Sequence, residues 1–274
     1  MLNSRTTWIT RLPVERAKGH AMSGEAPERT NRFLTLLSDE DYQRLRPRLS
    51  HVDLGYKDML CEADRPIEFV YFPIDGVASL VNVMEDGSAA EVGTIGSEGM
   101  VGLPLIFGDQ AGKSVIYVQV PGSALKLDAH TFQTELERNT SLKIAALQYA
   151  HAFFNQVSQS AACAHLHALQ QRCCRWLLMT RDRMPSNEFL LTQEFLGMML
   201  GVQRNTVSLA MSKLQKLGAI RYSRGHVVIL RRDLLLKHSC ECYAKSKDEF
   251  DRLLGDTPRE PRTDRWDRRV SHVG

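Results

Sequence analysis

The sequence lacks the features that mark several large classes of protein. No run of 18 uninterrupted apolar residues occurs in its 274 residues, so we expect no membrane-spanning helix. Six cysteines are too few for a disulfide scaffold, and without a convincing signal peptide they favour a reducing cytoplasm. A hydrophobic fraction of 43% and a charged fraction of 24% exclude a wholly disordered chain, a collagen and a coiled-coil rod. The length then predicts one large or two ordinary globular domains.

Motifs of the common enzyme classes are also missing. The sequence has no phosphate-binding P-loop, no GxSxG nucleophile turn and no HExxH zinc-protease helix. Its scattered carboxylates are typical of a solvated surface. We therefore expect a protein that is not an enzyme.

Charge is distributed unevenly along the chain. Residues 51–135 carry 4 Lys and Arg against 13 Asp and Glu, a balance of −9. Residues 163–237 carry 12 Lys and Arg against 4 Asp and Glu, a balance of +8. A basic region of this size is typical of a nucleic-acid binder, whereas the acidic region must have a different role. Chance variation in surface charge is the alternative.

The two ends of the chain carry no periodic pattern. Residues 1–25 and 256–274 show no apolar stripe, so they are predicted to be disordered tails. A polar lead-in follows Met22, which is a candidate for the true start of the chain. The alternative for the first tail is a basic arm that grips DNA phosphates through Arg5, Arg11, Arg16 and Lys18.

Short β-like runs dominate residues 51–127. Two short helices are predicted before them, beginning near Asn31 and capped in the second case by Ser38. Turns bearing Gly or Pro separate the runs, and no helix of βαβ length intervenes. The pattern predicts an antiparallel barrel or jelly roll, which we assign to residues 26–140. Its expected strands are residues 70–73, 77–84, 89–95, 114–120 and 124–127.

A long helix is predicted over residues 141–166, which contain neither Gly nor Pro. An apolar stripe with near-heptad spacing on such a helix commonly pairs with its copy in a dimer. We therefore assign residues 141–166 as a dimerisation helix. The alternative is a helix that packs only on its own barrel. The stripe consists of Leu142, Ala145, Ala146, Tyr149, Phe153, Gln156, Val157 and Ser160.

Residues 192–217 read TQEFLGMMLGVQRNTVSLAMSKLQKL and predict two helices joined by a tight turn. Thr192 can cap the first helix, and Gly201 stands where that helix ends. The second helix begins near Arg204. Its apolar positions predict one buried face, formed by Val207, Ala210, Met211, Leu214 and Leu217.

The opposite face of the second helix carries side chains that can read DNA. Arg can donate two hydrogen bonds to a guanine edge, and Asn or Gln can bond adenine in a similar way. Ser and Lys can reach phosphates. Two short strands follow and predict a wing, so residues 167–255 are assigned as a winged helix-turn-helix domain. The predicted DNA contacts are Thr192, Gln203, Arg204, Asn205, Ser208, Ser212, Lys213, Arg221 and Arg224. The alternative function is a ligand- or partner-binding signalling module with a degenerate helix-turn-helix.

This order of parts resembles a known family of transcription regulators. The predicted fold is α+β, with an N-terminal antiparallel β-roll, a long dimerisation helix and a C-terminal winged helix-turn-helix. Together with the motifs LGVQRNTVSLAMSKLQKLGAI, YFPIDG and EGMVGLPLIFG, it resembles the Crp/Fnr family of the cyclic-AMP receptor protein and the fumarate–nitrate regulator. CECY, from Cys240 to Tyr243, also resembles a subgroup of this family. Membership implies a homodimer that binds double-stranded DNA, contacts RNA polymerase and responds to a signal sensed in the roll.

The expected effector site departs from the family pattern. The family places a ribose-binding Glu after a Gly, but here Gly102 is followed by Leu103, which cannot accept that hydrogen bond. The Arg-Ser pair for the cyclic phosphate is Lys113-Ser114, and Lys lacks the two-pronged geometry of Arg. Ser158, on the long helix, lies roughly where the family contacts the base. The resemblance implies a cyclic nucleotide as cofactor, whereas these departures favour a pocket that is empty or filled by side chains.

The predicted DNA-reading helix departs from the family pattern as well. Arg204 matches the family's first base-contacting Arg, but Asn205 replaces the following Glu. Leu209 replaces a second Arg and can offer only apolar contact, for example to a thymine methyl group. The DNA sequence that is read should therefore differ from the best-known operator of the family.

The cysteines offer one candidate metal or redox site. The first 60 residues contain no Cys, which argues against the N-terminal iron–sulfur cluster of the oxygen-sensing branch. Cys163, His167 and Cys174 are spaced to share one helical face and could ligate a metal. The spacing lacks a strong zinc signature, and packed cysteines behave as small apolar residues. We therefore expect no metal, with these three residues as the candidate ligands if one binds.

Overall fold

The computed structural model describes residues 29–138 and 140–255. Its first elements are α1 (Arg32–Thr35) and α2 (Asp39–Leu45), which lie against one end of a β-roll. Side chains cap both helices: Asn31 Oδ1 accepts from Leu34 N at 3.2 Å, and Ser38 Oγ accepts from Asp41 N at 3.2 Å. The predicted cap at Ser38 is confirmed. The two predicted tails and Met22 lie outside the described residues.

The described part of the roll consists of antiparallel strands in two sheets. One sheet has the order β1–β7–β3 and the other the order β2–β6–β4–β5. The predicted fold class is confirmed, although β1 and β2 were not assigned from the sequence. The strands are β1 (Ser50–Leu54), β2 (Met59–Cys61), β3 (Phe69–Pro73), β4 (Val77–Val83), β5 (Ala89–Ile95), β6 (Val115–Val120) and β7 (Gly122–Asp128).

Two helices close the roll and complete its core. α3 (Ala129–Glu137) and α4 (Ser141–Leu166) follow β7 directly. The ring of Tyr149 on α4 lies edge-on to Phe33, with ring centroids 6.0 Å apart. A Cβ atom built on Gly99 would lie 2.1 Å from the Tyr149 ring, so only glycine lets the 96–99 turn approach α4 so closely.

The apolar stripe predicted to form the dimer seam faces the chain's own roll. Six of its eight members are buried within the single chain, namely Leu142, Ala145, Ala146, Tyr149, Phe153 and Gln156. The assignment of this stripe to a partner is therefore wrong, because these side chains are already covered by the roll. A different stripe on α4 is exposed at spacings of three and four: Ile144, Leu147, His151, Phe154, Ser158, Ala161 and His165.

A second core forms mainly from the elements after α4, together with Val77, Val81, Tyr117 and Val120 of the roll, whereas Phe250 and Leu254 near the end of the described chain belong to the first core. No helix among the described residues is both long and apolar enough to cross a membrane. The elements that follow α4 are α5 (Leu169–Arg181), β8 (Glu188–Leu190), α6 (Gln193–Leu200), α7 (Arg204–Lys216), β9 (Ile220–Ser223), β10 (His226–Ile229), α8 (Arg232–His238) and α9 (Cys242–Leu254).

α9 returns to α4, which the sequence pattern did not predict. Asn155 Nδ2 on α4 donates to Glu249 Oε1 on α9 at 2.7 Å. The ring centroids of Tyr149 and Phe250 lie 6.5 Å apart. The last helix of the described chain, α9, is thereby packed against α4, the helix that closes the roll.

Candidate nucleic-acid interface

α6 and α7 form a helical pair joined by a tight turn. Thr192 Oγ1 accepts from Phe195 N at 3.1 Å and caps α6, as predicted. Gly201 ends α6 with a φ of +64°, a left-handed conformation that glycine adopts without steric cost. The turn lets α7 begin at Arg204 after only Val202 and Gln203.

α7 has a buried face and an exposed polar face. Val207, Ala210, Met211 and Leu214 are buried, as predicted. Leu217 is 43% exposed, so its assignment to the buried face is wrong. It is the C-cap residue, beyond the last helical turn, and the positive φ of Gly218 then takes the chain away. The exposed face contains Gln203, Arg204, Asn205, Ser212 and Lys213, with Ser208 half-buried at its edge.

A small antiparallel sheet stands beside α7. β9 and β10 pair through Arg224 and Gly225, whose φ angles of 49° and 82° correspond to a tight primed hairpin turn. β8 pairs with the other edge of β10 and was missed in the sequence, because three residues are too short to show a clear alternation. Arg221 and Arg224 are exposed on this wing.

The predicted cations form a positive surface around α7 and the wing. Arg204, Lys213, Arg221 and Arg224 are all exposed. Within the described residues, none of these four side chains pairs with a carboxylate. They are therefore available to an anionic partner. Leu209, 67% exposed, adds an apolar side chain to the same helix.

The helix pair also contacts the roll. The ring of Phe195 on α6 packs edge-on against Tyr117 on β6 at 5.8 Å and lies 6.1 Å from the ring of Tyr56. Burial raises the pKa of Tyr56, whereas a hydrogen bond with Thr192 lowers it. Thr192, one of the predicted DNA contacts, is thus hydrogen-bonded to Tyr56 of the chain's own roll.

Two acidic side chains of the roll make contacts with α5 and with the segment after it. Arg183 Nη2 lies 2.6 Å from Glu98 Oε1 and donates to Gln156 Oε1 at 3.2 Å. Trp176 Nε1 on α5 donates to Glu91 Oε1 on β5 at 3.1 Å. Burial raises the pKa of Glu91 to about 7. These groups were not identified from the sequence, since their partners are 27 to 85 residues away.

The structure brings most of the predicted effector residues to one corner of the roll. Gly102, with a φ of +114°, and Leu103 begin a short 3-10 helix, and Pro104 of that helix lies against Gly112. Lys113 Nζ lies 2.5 Å from Asp64 Oδ1, and this hydrogen bond raises the pKa of Lys113. Ser114 Oγ donates to Asn82 Oδ1 at 2.6 Å. Ser158 lies on the exposed stripe of α4.

A cavity of about 610 Å³ opens elsewhere on the roll. Arg65, Glu68 and Lys126 contribute charged groups to its wall, and Lys126 Nζ lies 4.4 Å from the ring centroid of Phe69. None of the five predicted effector residues lines this cavity. No sequence pattern pointed to it, because its wall combines separate strands.

The candidate metal ligands are only partly brought together. Cys163 and His167 lie beside Cys240 and Cys242, two residues that the sequence did not join to them. Cys174 belongs to the core around α5 and α7 instead. Including Cys174 in the candidate set is therefore wrong. The spacing assumed one continuous helix, but α4 ends at Leu166 and Cys174 lies on the separate helix α5.

Comparisons with known proteins agree with this architecture. Residues 52–139 match the model of the cyclic nucleotide-binding domain, and residues 171–237 match that of the Crp-like helix-turn-helix domain. No curated protein sequence matches the chain significantly.

Solved structures show the same fold at low sequence identity. FixK2 from Bradyrhizobium japonicum is 15% identical, with a TM-score of 0.60 over 70% of this chain and 98% of its own. TTHB099, a CRP-family transcriptional regulator from Thermus thermophilus, is 15% identical, with a TM-score of 0.57 over 68% and 95% of the two chains. The c-di-GMP responsive regulator CLP from Xanthomonas campestris is also 15% identical, with a TM-score of 0.53 over 70% and 99%.

Proposed function

Because the chain belongs to the Crp/Fnr family of bacterial transcription regulators, we propose that it binds DNA as a homodimer through α7 and the wing. In helix-turn-helix proteins the second helix lies in the major groove, with its first residues at the base edges. Arg204 and Asn205 occupy the first turn of α7 and are exposed. They are assigned to base reading.

The remaining predicted contacts are assigned to the DNA backbone or to supporting positions. Lys213, Arg221 and Arg224 supply positive charge, and Ser208 and Ser212 supply hydroxyl groups. Gln203 precedes the helix and can reach a base or a phosphate. Thr192 has to exchange its contact with Tyr56 before it can touch a phosphate.

The exposed stripe of α4 is assigned to the dimer. Ile144, Leu147, His151 and Phe154 alternate by three and four residues, which is the spacing of a two-helix seam. Phe154 is 69% exposed in the single chain, and a second copy of α4 would cover it. A two-fold dimer presents two copies of α7 to two half-sites about one helical turn apart, roughly 34–36 Å.

The roll is assigned as the sensor, with an effector that differs from cyclic AMP. Leu103 stands where a carboxylate is needed, and Lys113, which pairs with Asp64 at the surface, lacks the two-pronged geometry of Arg. The candidate region for a signal remains the corner formed by Gly102, Leu103, Lys113 and Ser114, with Ser158 on the adjoining helix. As a regulator of bacterial genes, the protein would act in the cytoplasm and contact RNA polymerase.

The exposed polar face of α7 beside a cationic wing is the observation that carries this proposal. Selecting bound duplexes from a random DNA pool tests it directly, in the presence and absence of cell metabolites. A recovered inverted repeat, bound with a steep salt dependence, is the expected result. Failure to bind duplex DNA even at low salt would favour a signalling module with a degenerate helix-turn-helix.

A further inference from the structure

Four potential metal ligands meet where α4 ends and α9 begins. Cys163 lies in the last turn of α4, and His167 is the residue that caps it. Cys240 and Cys242 come from the connection into α9 and its first residue. The four donor atoms all lie within 4.8 Å of one another. Residues 77 positions apart in the chain thus converge on one point.

The distances between donor atoms fit a tetrahedral ion. Cys163 Sγ lies 3.5 Å from Cys240 Sγ, and Cys242 Sγ lies 3.4 Å from His167 Nδ1. Tetrahedral zinc with ordinary bond lengths separates two sulfurs by about 3.8 Å and a sulfur from a nitrogen by about 3.6 Å. These two pairs need shifts of only a few tenths of an ångström, and the remaining pairs, all within 4.8 Å, must close by at most about 1 Å.

The three cysteines of this group are distinct from those that merely fill a core. Cys61 packs in the core of the roll, and Cys173 and Cys174 pack in the core around α5 and α7. Cys163, Cys240 and Cys242 form a small buried cluster of their own. Packing as small apolar residues accounts for the first three, whereas the second three face one another and an imidazole.

Neighbouring groups orient the donors as in known metal sites. His167 Nε2 lies 3.2 Å from Glu241 Oε2, which leaves Nδ1 directed at the cysteines. A carboxylate on the outer nitrogen is the usual support of a metal-binding histidine. Gln159 Nε2 donates to Cys242 Sγ at 3.0 Å and so holds that sulfur in place.

A buried cation balances the charge of the site. Three thiolates, a neutral imidazole and a divalent ion carry a net charge of −1, which needs a positive neighbour in a buried place. Burial raises the pKa of the Cys163 thiol, and the charge of Arg175 opposes that rise. Arg175 is itself buried, and its Nε has no hydrogen-bond partner among the described residues. The guanidinium is thus placed to offset the excess negative charge.

We propose that Cys163, His167, Cys240 and Cys242 bind one Zn²⁺ ion per chain. Three thiolates and one imidazole in a closed tetrahedron form a donor set typical of structural zinc. Each thiol loses its proton on binding, while His167 binds in its neutral form and releases none. The ion joins the end of α4 to the start of α9 and so fixes how the DNA-binding half is attached to the dimer helix.

Cobalt titration of the full reduced chain tests the proposal without any DNA. The protein is purified without a polyhistidine tag and stripped with a chelator, and Co²⁺ is then added. We expect one ion per chain, with the intense absorption of tetrahedral thiolate-bound Co²⁺, and displacement of that absorption by Zn²⁺. Absence of this absorption, or an octahedral Co²⁺ spectrum, would overturn the proposal.

Variants identify the ligands. Cys240→Ser should weaken Co²⁺ binding and reduce the thiolate absorption, because two of the three thiolates remain. Glu241→Gln should weaken Zn²⁺ binding about 10- to 100-fold by removing the support of His167. Cys174→Ser is the matched control, because it alters a buried cysteine outside the group. Equal Co²⁺ spectra for Cys240→Ser and the parent would overturn the assignment. So would a Cys163–Cys240 disulfide, detected by mass spectrometry as the loss of two hydrogens, in protein purified under reducing conditions.

Discussion

Arg204 begins α7, and its guanidinium is exposed beside Asn205. A bidentate contact with guanine contributes about 1–3 kcal/mol of discrimination. Arg204→Ala should therefore weaken binding to the selected duplex about 5- to 150-fold for each half-site, and the two factors multiply in the dimer, while affinity for random DNA falls much less. Fluorescence anisotropy with both duplexes measures the two affinities.

Lys216 provides the matched control for this prediction. It is exposed on the same helix but is not among the predicted contacts. Lys216→Ala removes one positive charge and should reduce both affinities slightly and equally. If Arg204→Ala behaved in the same way, Arg204 would be a phosphate contact rather than a base reader.

Glu91 gives the protein a pH-dependent stability. Glu91 lies on β5 and faces α5, and its burial raises its pKa to about 7. Hydrogen bonds from Ser79 and Trp176 and the charges of Arg183 and Arg175 act in the opposite direction. The folded state then holds a proton that the unfolded state has already lost above pH 4.5. Stability therefore falls by roughly 3 kcal/mol as the pH rises from about 4.5 to about 7, and the contribution of Glu91 does not change further above that pH.

Urea denaturation of Glu91→Gln between pH 5 and pH 8 measures this effect. The neutral amide cannot titrate, so the variant should lose the part of the pH dependence that Glu91 supplies. Glu85→Gln is the control, since Glu85 is exposed and should leave the parent's slope unchanged. A slope in Glu91→Gln equal to that of the parent would show that Glu91 is ionised in the folded protein.

At the scale of elements, α4 has two apolar faces with similar spacing. Phe153 is buried against the roll, whereas its neighbour Phe154 is 69% exposed. Phe154→Asp should place charge in the dimer seam and yield folded monomers. Phe153→Asp should instead destabilise the roll, by more than about 3 kcal/mol, because it buries an unpaired charge.

Sedimentation velocity and thermal unfolding separate the two outcomes. Ala244→Asp, on the exposed side of α9, controls for the added charge and should remain a stable dimer. A dimer that persists in Phe154→Asp would refute the seam along the exposed stripe.

The sequence predicted helices and turns better than it predicted which surfaces pack against one another. The bounds of α4 and the cap and turn of α6 follow from local signals, namely a run free of Gly and Pro, Thr192 and Gly201. Which face of α4 meets the roll depends on strands more than 50 residues away, so periodicity alone could not decide it. Cys163 meets Cys240 for the same reason, through the return of α9.

At the scale of the whole molecule, the roll and the DNA-binding half carry opposite charge. Residues 51–135 have a balance of −9 and residues 163–237 a balance of +8. This polarity repels DNA from the roll and attracts it to α7 and the wing. Replacing both Arg221 and Arg224 by Ala removes two positive charges from each chain and four from the dimer. The slope of log affinity against log salt should therefore fall by about four, with the preferred DNA sequence unchanged. Affinity measured from low to high salt on two duplexes checks this, and a changed sequence preference would contradict it.

An effector can change DNA binding through α7 only if it binds the DNA-binding and non-binding conformations of the protein with different affinity. For cyclic AMP we expect no such coupling, because Leu103 offers no acceptor for a ribose hydroxyl and Lys113 cannot bond a cyclic phosphate through two donors as Arg does. The affinity for the selected duplex should be the same with and without cyclic AMP at physiological concentration, and calorimetry should show no micromolar binding.

The combined variant Leu103→Glu with Lys113→Arg tests whether the residues or the shape of the corner cause this insensitivity. Gly102 and Ser114 are retained, so the backbone turn and one hydroxyl group are already in place. Arg can bond a cyclic phosphate through two donors where Lys acts as a point charge, and Glu restores the acceptor. Measurable binding by the variant would assign the insensitivity to these two side chains. Micromolar binding of cyclic AMP by the parent would contradict the predicted insensitivity, because side chains other than Leu103 and Lys113 would then have to hold the nucleotide.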